Sequence, residues 1–226
     1  MRILEKQLPL FPLHTVLFPQ ARLPLQIFEP RYIKMIERCL QEDLAFGIVL
    51  IKEGDEVGGP SVPHPVGTVA RIVDVARLRD GRMNIIAAGM TRFKLIESYT
   101  DLPYMTAQID LWRDEDVDLK KSERVARQAA KMFQKYIRTI QNIAATEEQE
   151  QEEKEFQAPK DPTVLSYLIA SNLQVSQPDK QALLESPTVI ARLGREIAFM
   201  GRELELVRLI SEKTSRILDQ GTFSLN

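Results

Sequence analysis

Between residues 7 and 112 the hydrophobic positions come in short runs or alternate with polar ones, punctuated by Pro and Gly. That grammar predicts strands rather than helices. From Tyr104 to Trp112, Met105, Ala107, Ile109 and Leu111 point one way while Thr106, Gln108 and Asp110 point the other, as in a strand with one buried face. Phe93 and Leu95 likewise oppose Arg92 and Lys94, predicting a sheet packed on one side and wet on the other. Asp80-Gly81, between Arg77 and Ile85, predicts a hairpin with both residues at the positive φ of a type I′ turn. One helix interrupts: Tyr32, Met35, Ile36, Cys39 and Leu40 repeat at helical spacing between Arg31 and Gln41, and Pro30 suits its first turn. Many short strands with one helix predict a closed or half-closed barrel.

After Trp112 the period changes to 3.6. Val125, Ala129, Met132, Phe133, Tyr136, Ile137, Ile140 and Ile143 form a wide apolar stripe on a helix from about Leu119 to Ala144. The stretch Glu147 to Gln157 carries six Glu and one Lys and predicts an exposed helix end or a flexible acidic loop near 146–158. Asp161 and Pro162 start a further helix through Leu165, Leu168 and Ile169, and a short helix from Asp179 to Leu184 follows Pro178. Ser186 and Pro187 repeat the start signal for a long last helix to about Leu218. Along it Ile190, Leu193, Ile197, Met200, Leu204 and Val207 form a coiled-coil-type seam, expected to pack on the helix from Leu119. The expected fold class is α+β, with a β-rich unit over 1–114 and a helical bundle over 115–226.

A chain of 226 residues that is 44% hydrophobic can bury a core without disulfide or metal. A net charge of −2 argues against broad attachment to nucleic acid or anionic membrane. The lone Cys39 forms no intramolecular disulfide, and Glu5 and Lys6 fall where a signal peptide would be apolar, so a cytoplasmic protein is expected. The longest clean apolar run, Leu44 to Ile51, is far short of a membrane span.

The chemistry tests give little. The glycine stretch Gly54 to Pro60 lacks the lysine of a P-loop, and no GxSxG elbow exists. With one Cys and two His there is no common zinc pattern, so neither metal nor cofactor is expected. Cys39 lies on an apolar helix face and reads as a buried hydrophobe, not a nucleophile. His14 and His64, in Pro-rich context, read as solvent-facing turn residues rather than catalytic groups. Arg71, Arg77, Arg79, Arg82, Arg92 and Lys94 cluster around the hairpin against Asp74, Asp80 and Glu97, the one candidate nucleic-acid surface, without interleaved aromatics for stacking bases.

Several blocks in order carry a resemblance. Leu8-Pro9-Leu10-Phe11-Pro12-Leu13, Val16-Leu17-Phe18-Pro19 and Leu23-Pro24-Leu25-Gln26-Ile27-Phe28-Glu29-Pro30-Arg31-Tyr32 resemble the N-terminal substrate-binding domain of Lon proteases. Val66-Gly67-Thr68-Val69-Ala70 and Gly89-Met90-Thr91-Arg92-Phe93 look like that family's central strands, and Ile169 to Leu173, Asp179 to Glu185 and Arg192-Leu193 are similar to its helical part. The resemblance implies a PUA-like pseudo-barrel followed by helices. The chain ends at Asn226, before an ATPase or a Ser-Lys protease could begin, and lacks the ligands of a RING module, so a stand-alone member is expected.

What the resemblance implies is a non-catalytic module that captures unfolded or exposed polypeptide segments, as an adaptor or regulator of ATP-dependent proteolysis by a separate protease. Phe28, Arg31 and Tyr32, where the barrel turns into its helix, are the candidate binding residues. The competing expectation is that Phe28 and Tyr32 plug the barrel and that Arg31 pairs with Glu29 or another acid. Alternatives are a dedicated partner-docking or dimerisation module using the last helix, an RNA-binding PUA-like protein, and an unrecognised hydrolase.

Overall fold

The computed structural model describes residue 3 and residues 7–59, 61–115, 118–144 and 157–221. Of the acidic stretch, residues 147–156 lie outside the described residues. The element order is β1 (Leu8–Leu13), β2 (Arg22–Ile27), α1 (Pro30–Gln41), β3 (Phe46–Gly54), β4 (Ser61–Arg77), β5 (Met83–Tyr99), β6 (Thr106–Trp112), α2 (Leu119–Ala144), α3 (Pro162–Asn172), α4 (Gln177–Leu184) and α5 (Val189–Gly221). The fold is α+β, as the hydrophobic pattern predicts.

The six strands run β2-β5-β4-β3-β1-β6, and β6 pairs again with β5, so β1, β3, β4, β5 and β6 close a barrel. The 17-residue β5 serves two neighbours: Met83 to Ala88 pair with β2, and Arg92 to Tyr99 pair with β6. β1 and β3 are parallel, joined through β2 and α1, while the other pairs are antiparallel.

Why β3 reads as an unbroken apolar run becomes plain from its two faces. Phe46 and Ile48 join a core built on Tyr32, Met35, Ile36 and Cys39 of α1, while Val49 faces the barrel interior with Leu8, Leu10, Val69, Phe93 and Ile109. A strand covered on both sides has no polar face to show. The interior is filled, not hollow. A Cβ on Gly67 would stand 2.7 Å from the Phe93 ring and 2.6 Å from the Ile48 carbonyl oxygen, and one on Gly47 would stand 2.9 Å from Phe93. The two glycines leave room for that phenyl ring.

The helices make a third core. Ala129, Phe133 and Tyr136 of α2, Leu165 and Ile169 of α3, Leu183 and Leu184 of α4 and Leu193 and Met200 of α5 are buried together, with Phe18 of the β1–β2 link and Val66 of β4 reaching in. The predicted packing of α5 on α2 is present. Asp161 caps α3 by accepting from the Thr163 N–H at 2.7 Å. Ser176 caps α4, whose first residue, Gln177, lies two positions before the expected Asp179. The expected start signal for α5 at Ser186 is displaced: Thr188 Oγ1 accepts from the Ala191 N–H at 3.0 Å, whereas Ser186 is buried and donates its hydroxyl to the Ala182 carbonyl.

Two local expectations need correction. At the hairpin only Gly81 has positive φ (84°) and the Gly81 N–H donates to the Leu78 carbonyl. With Leu78 also donating to Arg82, the loop is a three-residue turn closed by a glycine bulge, not a two-residue type I′ turn. The wet face predicted for Arg92 does not exist, because the helices cover it: Arg92 is fully buried whereas Lys94 is exposed.

Candidate functional site

The turn from β2 into α1 is organised by one carboxylate. Glu29 holds the N-cap position with extended backbone (φ −74°, ψ 133°) but makes no side-chain cap, and Pro30 follows without a donor to satisfy. Its Oε2 instead accepts from Arg31 Nε at 3.0 Å and from the Gly58 N–H at 3.3 Å. Arg31 extends the strap: Nη1 donates to the Gly59 carbonyl and Nη2 to the Glu56 carbonyl, both at 3.3 Å. Glu56 in turn accepts the His14 N–H at 2.7 Å. The loop between β3 and β4 is thus pinned to the helix start by charge-assisted bonds.

Beneath the Arg31 guanidinium, 4.6 Å from its centre, lies the Tyr32 ring, which also packs on Phe11 with centroids 4.2 Å apart. Tyr32 is buried, and that burial pushes its phenol pKa up. Arg31 and Tyr32 form one wall of a cleft of about 390 Å³, and the link between β5 and β6, including Leu102, Pro103, Tyr104 and Met105, forms the other. Leu102 is 40% exposed at its rim. Tyr104 is held by Arg38, whose Nη1 donates to its hydroxyl at 3.3 Å. The cleft offers apolar side chains on both walls and a single cation at one end, a surface suited to an apolar segment with a polar anchor.

Of the three residues singled out from the sequence, Arg31 and Tyr32 come together at this cleft and Phe28 stands outside it, 48% exposed. Phe28 does not plug the barrel. Arg31 does pair with Glu29, yet its guanidinium still borders the cleft. The sequence pattern gives Tyr104 and Met105 as strand residues and not as a site wall; the one local signal for a wall is the apolar Leu-Pro-Tyr triplet, 102–104, inside a turn that would otherwise be polar.

Other candidates are dispersed. Cys39 is buried in the α1 core and its thiol is pushed up to about 12 by burial. His14 is exposed, but His64 lies within β4, not in a turn, 3.7 Å from a Glu185 carboxylate oxygen. The basic cluster loses Arg92 to burial, while exposed Lys94 is drawn onto an aromatic ring. Arg92 is buried at the strand–helix junction, donating to the Leu184 and Ser186 carbonyls and to Asp114, and Lys94 stacks on Trp112 at 4.1 Å. Among the described residues no group of three or more His, Cys, Asp or Glu is placed to hold a metal ion, and no helix is long and apolar enough to cross a membrane.

The family model described as the ATP-dependent protease La (LON) substrate-binding domain matches residues 7–202. The chain belongs to the Lon substrate-binding domain family. Relatives include Lon protease 2 of Sorangium cellulosum, 30% identical over 94% of this chain and 26% of its own length, and Lon protease of Flavobacterium johnsoniae, 32% identical over 96% and 27%. The chain therefore spans about a quarter of the length of these curated relatives. Two solved structures share the Lon N-terminal fold. The Lon N-terminal domain protein from Xanthomonas campestris covers 85% of this chain at TM-score 0.62 and 24% identity, with 98% of that chain matched. The N-terminal domain of Mycobacterium avium complex Lon protease covers 87% at TM-score 0.65 and 14% identity, again with 98% of that chain matched.

Proposed function

We propose that this Lon substrate-binding domain protein is a non-catalytic recognition module of the cytoplasm. It captures exposed segments of other polypeptides in the cleft between the start of α1 and the β5–β6 link, for an ATP-dependent protease to act on. The observation that carries the reading is the cleft itself: Tyr32, Pro103 and Tyr104 supply apolar walls, and Arg31, braced by Glu29, supplies a fixed donor. Family membership supports polypeptide as the ligand class. Burying an apolar side chain there yields about 1.5–3 kcal/mol, so one or two anchors give weak, reversible capture, as a module that must release its clients requires.

The test is binding of reduced, carbamidomethylated lactalbumin and of its native form, without nucleotide, at low and high salt. Capture of the unfolded form alone, at both salts, is the expected result, with Leu102→Asp weakening it severalfold. Capture of neither form overturns the reading. A second reading, self-association, is favoured by one observation: on α5 beyond the buried Met200, Leu206 and Leu209 are 58% and 44% exposed. Sedimentation of a concentration-independent monomer would remove it.

A further inference from the structure

The outer face of the β2-β5-β4 sheet carries a second recognition surface that the sequence kept in separate pieces. Leu23, Leu25 and Ile27 of β2 turn inward to the α1 core, so Arg22, Pro24 and Gln26 turn outward and are exposed. The register sets Arg22 opposite Ala88 of β5, and Ala88 opposite Arg71 of β4. Two exposed arginines therefore flank one small residue, their backbones about 10 Å apart across two strand spacings. In the next row Pro24 faces Ile86, and the irregularity between Ile72 and Asp74 leaves Val73 exposed beside them. An apolar strip thus adjoins a pair of cations.

The charge on this face is unbalanced. Among the described residues neither Arg22 nor Arg71 makes an ion pair. Asp74, opposite Ile86, has one carboxylate oxygen taken up by the Val75 N–H at 3.0 Å. At the hairpin tip Arg82 is paired with Asp80 at 2.7 Å, while Arg77 and Arg79 add exposed positive charge. Five arginines against two aspartates concentrate positive charge on one end of a chain whose net charge is −2. The free edge of β2 is a poorer docking element than the face. The Gly89 N–H donates to the Ala21 carbonyl, and the alternation of an antiparallel ladder then turns the Pro24 backbone to the open side, where it lacks a donor.

We infer that this face recognises acidic segments of extended polypeptide, with client carboxylates on Arg22 and Arg71 and a client apolar side chain on the Pro24–Ile86–Val73 strip. The inference rests on the reading of the protein as a polypeptide-binding module and adds a charge preference to it. Polypeptide is favoured over single-stranded nucleic acid because the one exposed aromatic ring bordering these strand segments is Phe28 at the end of β2, whereas a strand of bases stacks on several rings in succession.

The experiment compares three 15-residue peptides of equal apolar content, interleaved with Glu, Gln or Lys, and an oligo(U) RNA, by fluorescence anisotropy at 50 and 300 mM salt. The expected result at low salt is about tenfold tighter binding of the Glu peptide than of the Gln peptide, with the Lys peptide weakest. That preference disappears at high salt and in the Arg22→Ala/Arg71→Ala variant, returns in Arg22→Lys/Arg71→Lys, and persists in Leu102→Asp. Both arginines are exposed, so the melting temperature stays unchanged. A Glu preference unaffected by the double variant, or oligo(U) binding tighter than the Glu peptide with the same arginine dependence, overturns the inference. Retained capture of unfolded lactalbumin with no peptide preference overturns this inference alone. Loss of all polypeptide binding overturns the function proposed above as well.

Discussion

Arg92 of β5 and Arg192 of α5 share one carboxylate oxygen: Oδ1 of Asp114 accepts from Arg92 Nη2 at 2.8 Å and from Arg192 Nη1 at 2.9 Å. Both arginines are fully buried, and each lies over an aromatic ring, Arg92 over Trp112 at 4.2 Å and Arg192 over Tyr167 at 4.1 Å. With Arg92 also bonded to the Leu184 and Ser186 carbonyls, this cluster joins barrel to helices through directional contacts. Removing the shared anion leaves two buried guanidiniums without a counter-charge. Asp114→Ala is expected to cost about 3–5 kcal/mol, read from the denaturant midpoint, and Asp114→Asn less, since an amide still accepts.

Glu196 makes stability depend on pH. It is fully buried, neither carboxylate oxygen has a hydrogen-bond partner, and burial raises its pKa well above the ordinary 4.5, with Arg192 opposing. Above pH 4.5 the unfolded chain loses this proton while the folded chain keeps it, so the group's contribution falls as pH rises towards its folded pKa. Glu196→Gln keeps the neutral shape. Its stability relative to wild type is expected to grow between pH 5 and pH 8 in chemical denaturation, and a constant difference would show that Glu196 is ionised in the fold.

Cys39 reports on opening of the core between α1 and the sheet. Buried and pushed up to about 12, its thiol offers almost no thiolate at pH 8. Labelling by a disulfide reagent is expected to be slow in buffer and to accelerate with urea in step with global unfolding. Rapid labelling of native protein would place the α1 core within reach of local opening.

Gly89 and Gly67 are steric requirements. A Cβ on Gly89 would collide with the Phe18 carbonyl oxygen, and one on Gly67 with the Ile48 carbonyl and the Phe93 ring. Backbone atoms cannot rotate aside, so each Gly→Ala change is expected to cost about 1–3 kcal/mol or more by calorimetry. Gly194→Ala, with open space around it, is the control and is expected to be neutral or stabilising in its helix.

How much of the site was legible follows from chain distance. Arg31 and Tyr32 were visible because they lie in one contiguous turn whose Glu29 partner is two residues away. The opposing wall from Leu102 to Met105 was not, because only closure of β6 onto β1 and β5 brings it there. Arg92 misled for the same reason. Its alternation with Phe93 defines a face, but what covers that face is set by helices more than 80 residues away, as its bonds to Leu184 and Ser186 show.

The sequence by itself determined the elements: period-2 and period-3.6 patterns, Pro30, Asp161 and Gly81 act on neighbouring backbone, and local sterics do not await the rest of the fold. Only the tertiary structure decided which polar groups are buried, that Arg92 and Arg192 converge on Asp114, and that Arg22 and Arg71 flank Ala88. The physical reason is that strand register and helix docking are fixed by the summed burial of distant side chains, a cooperative quantity that no single segment carries.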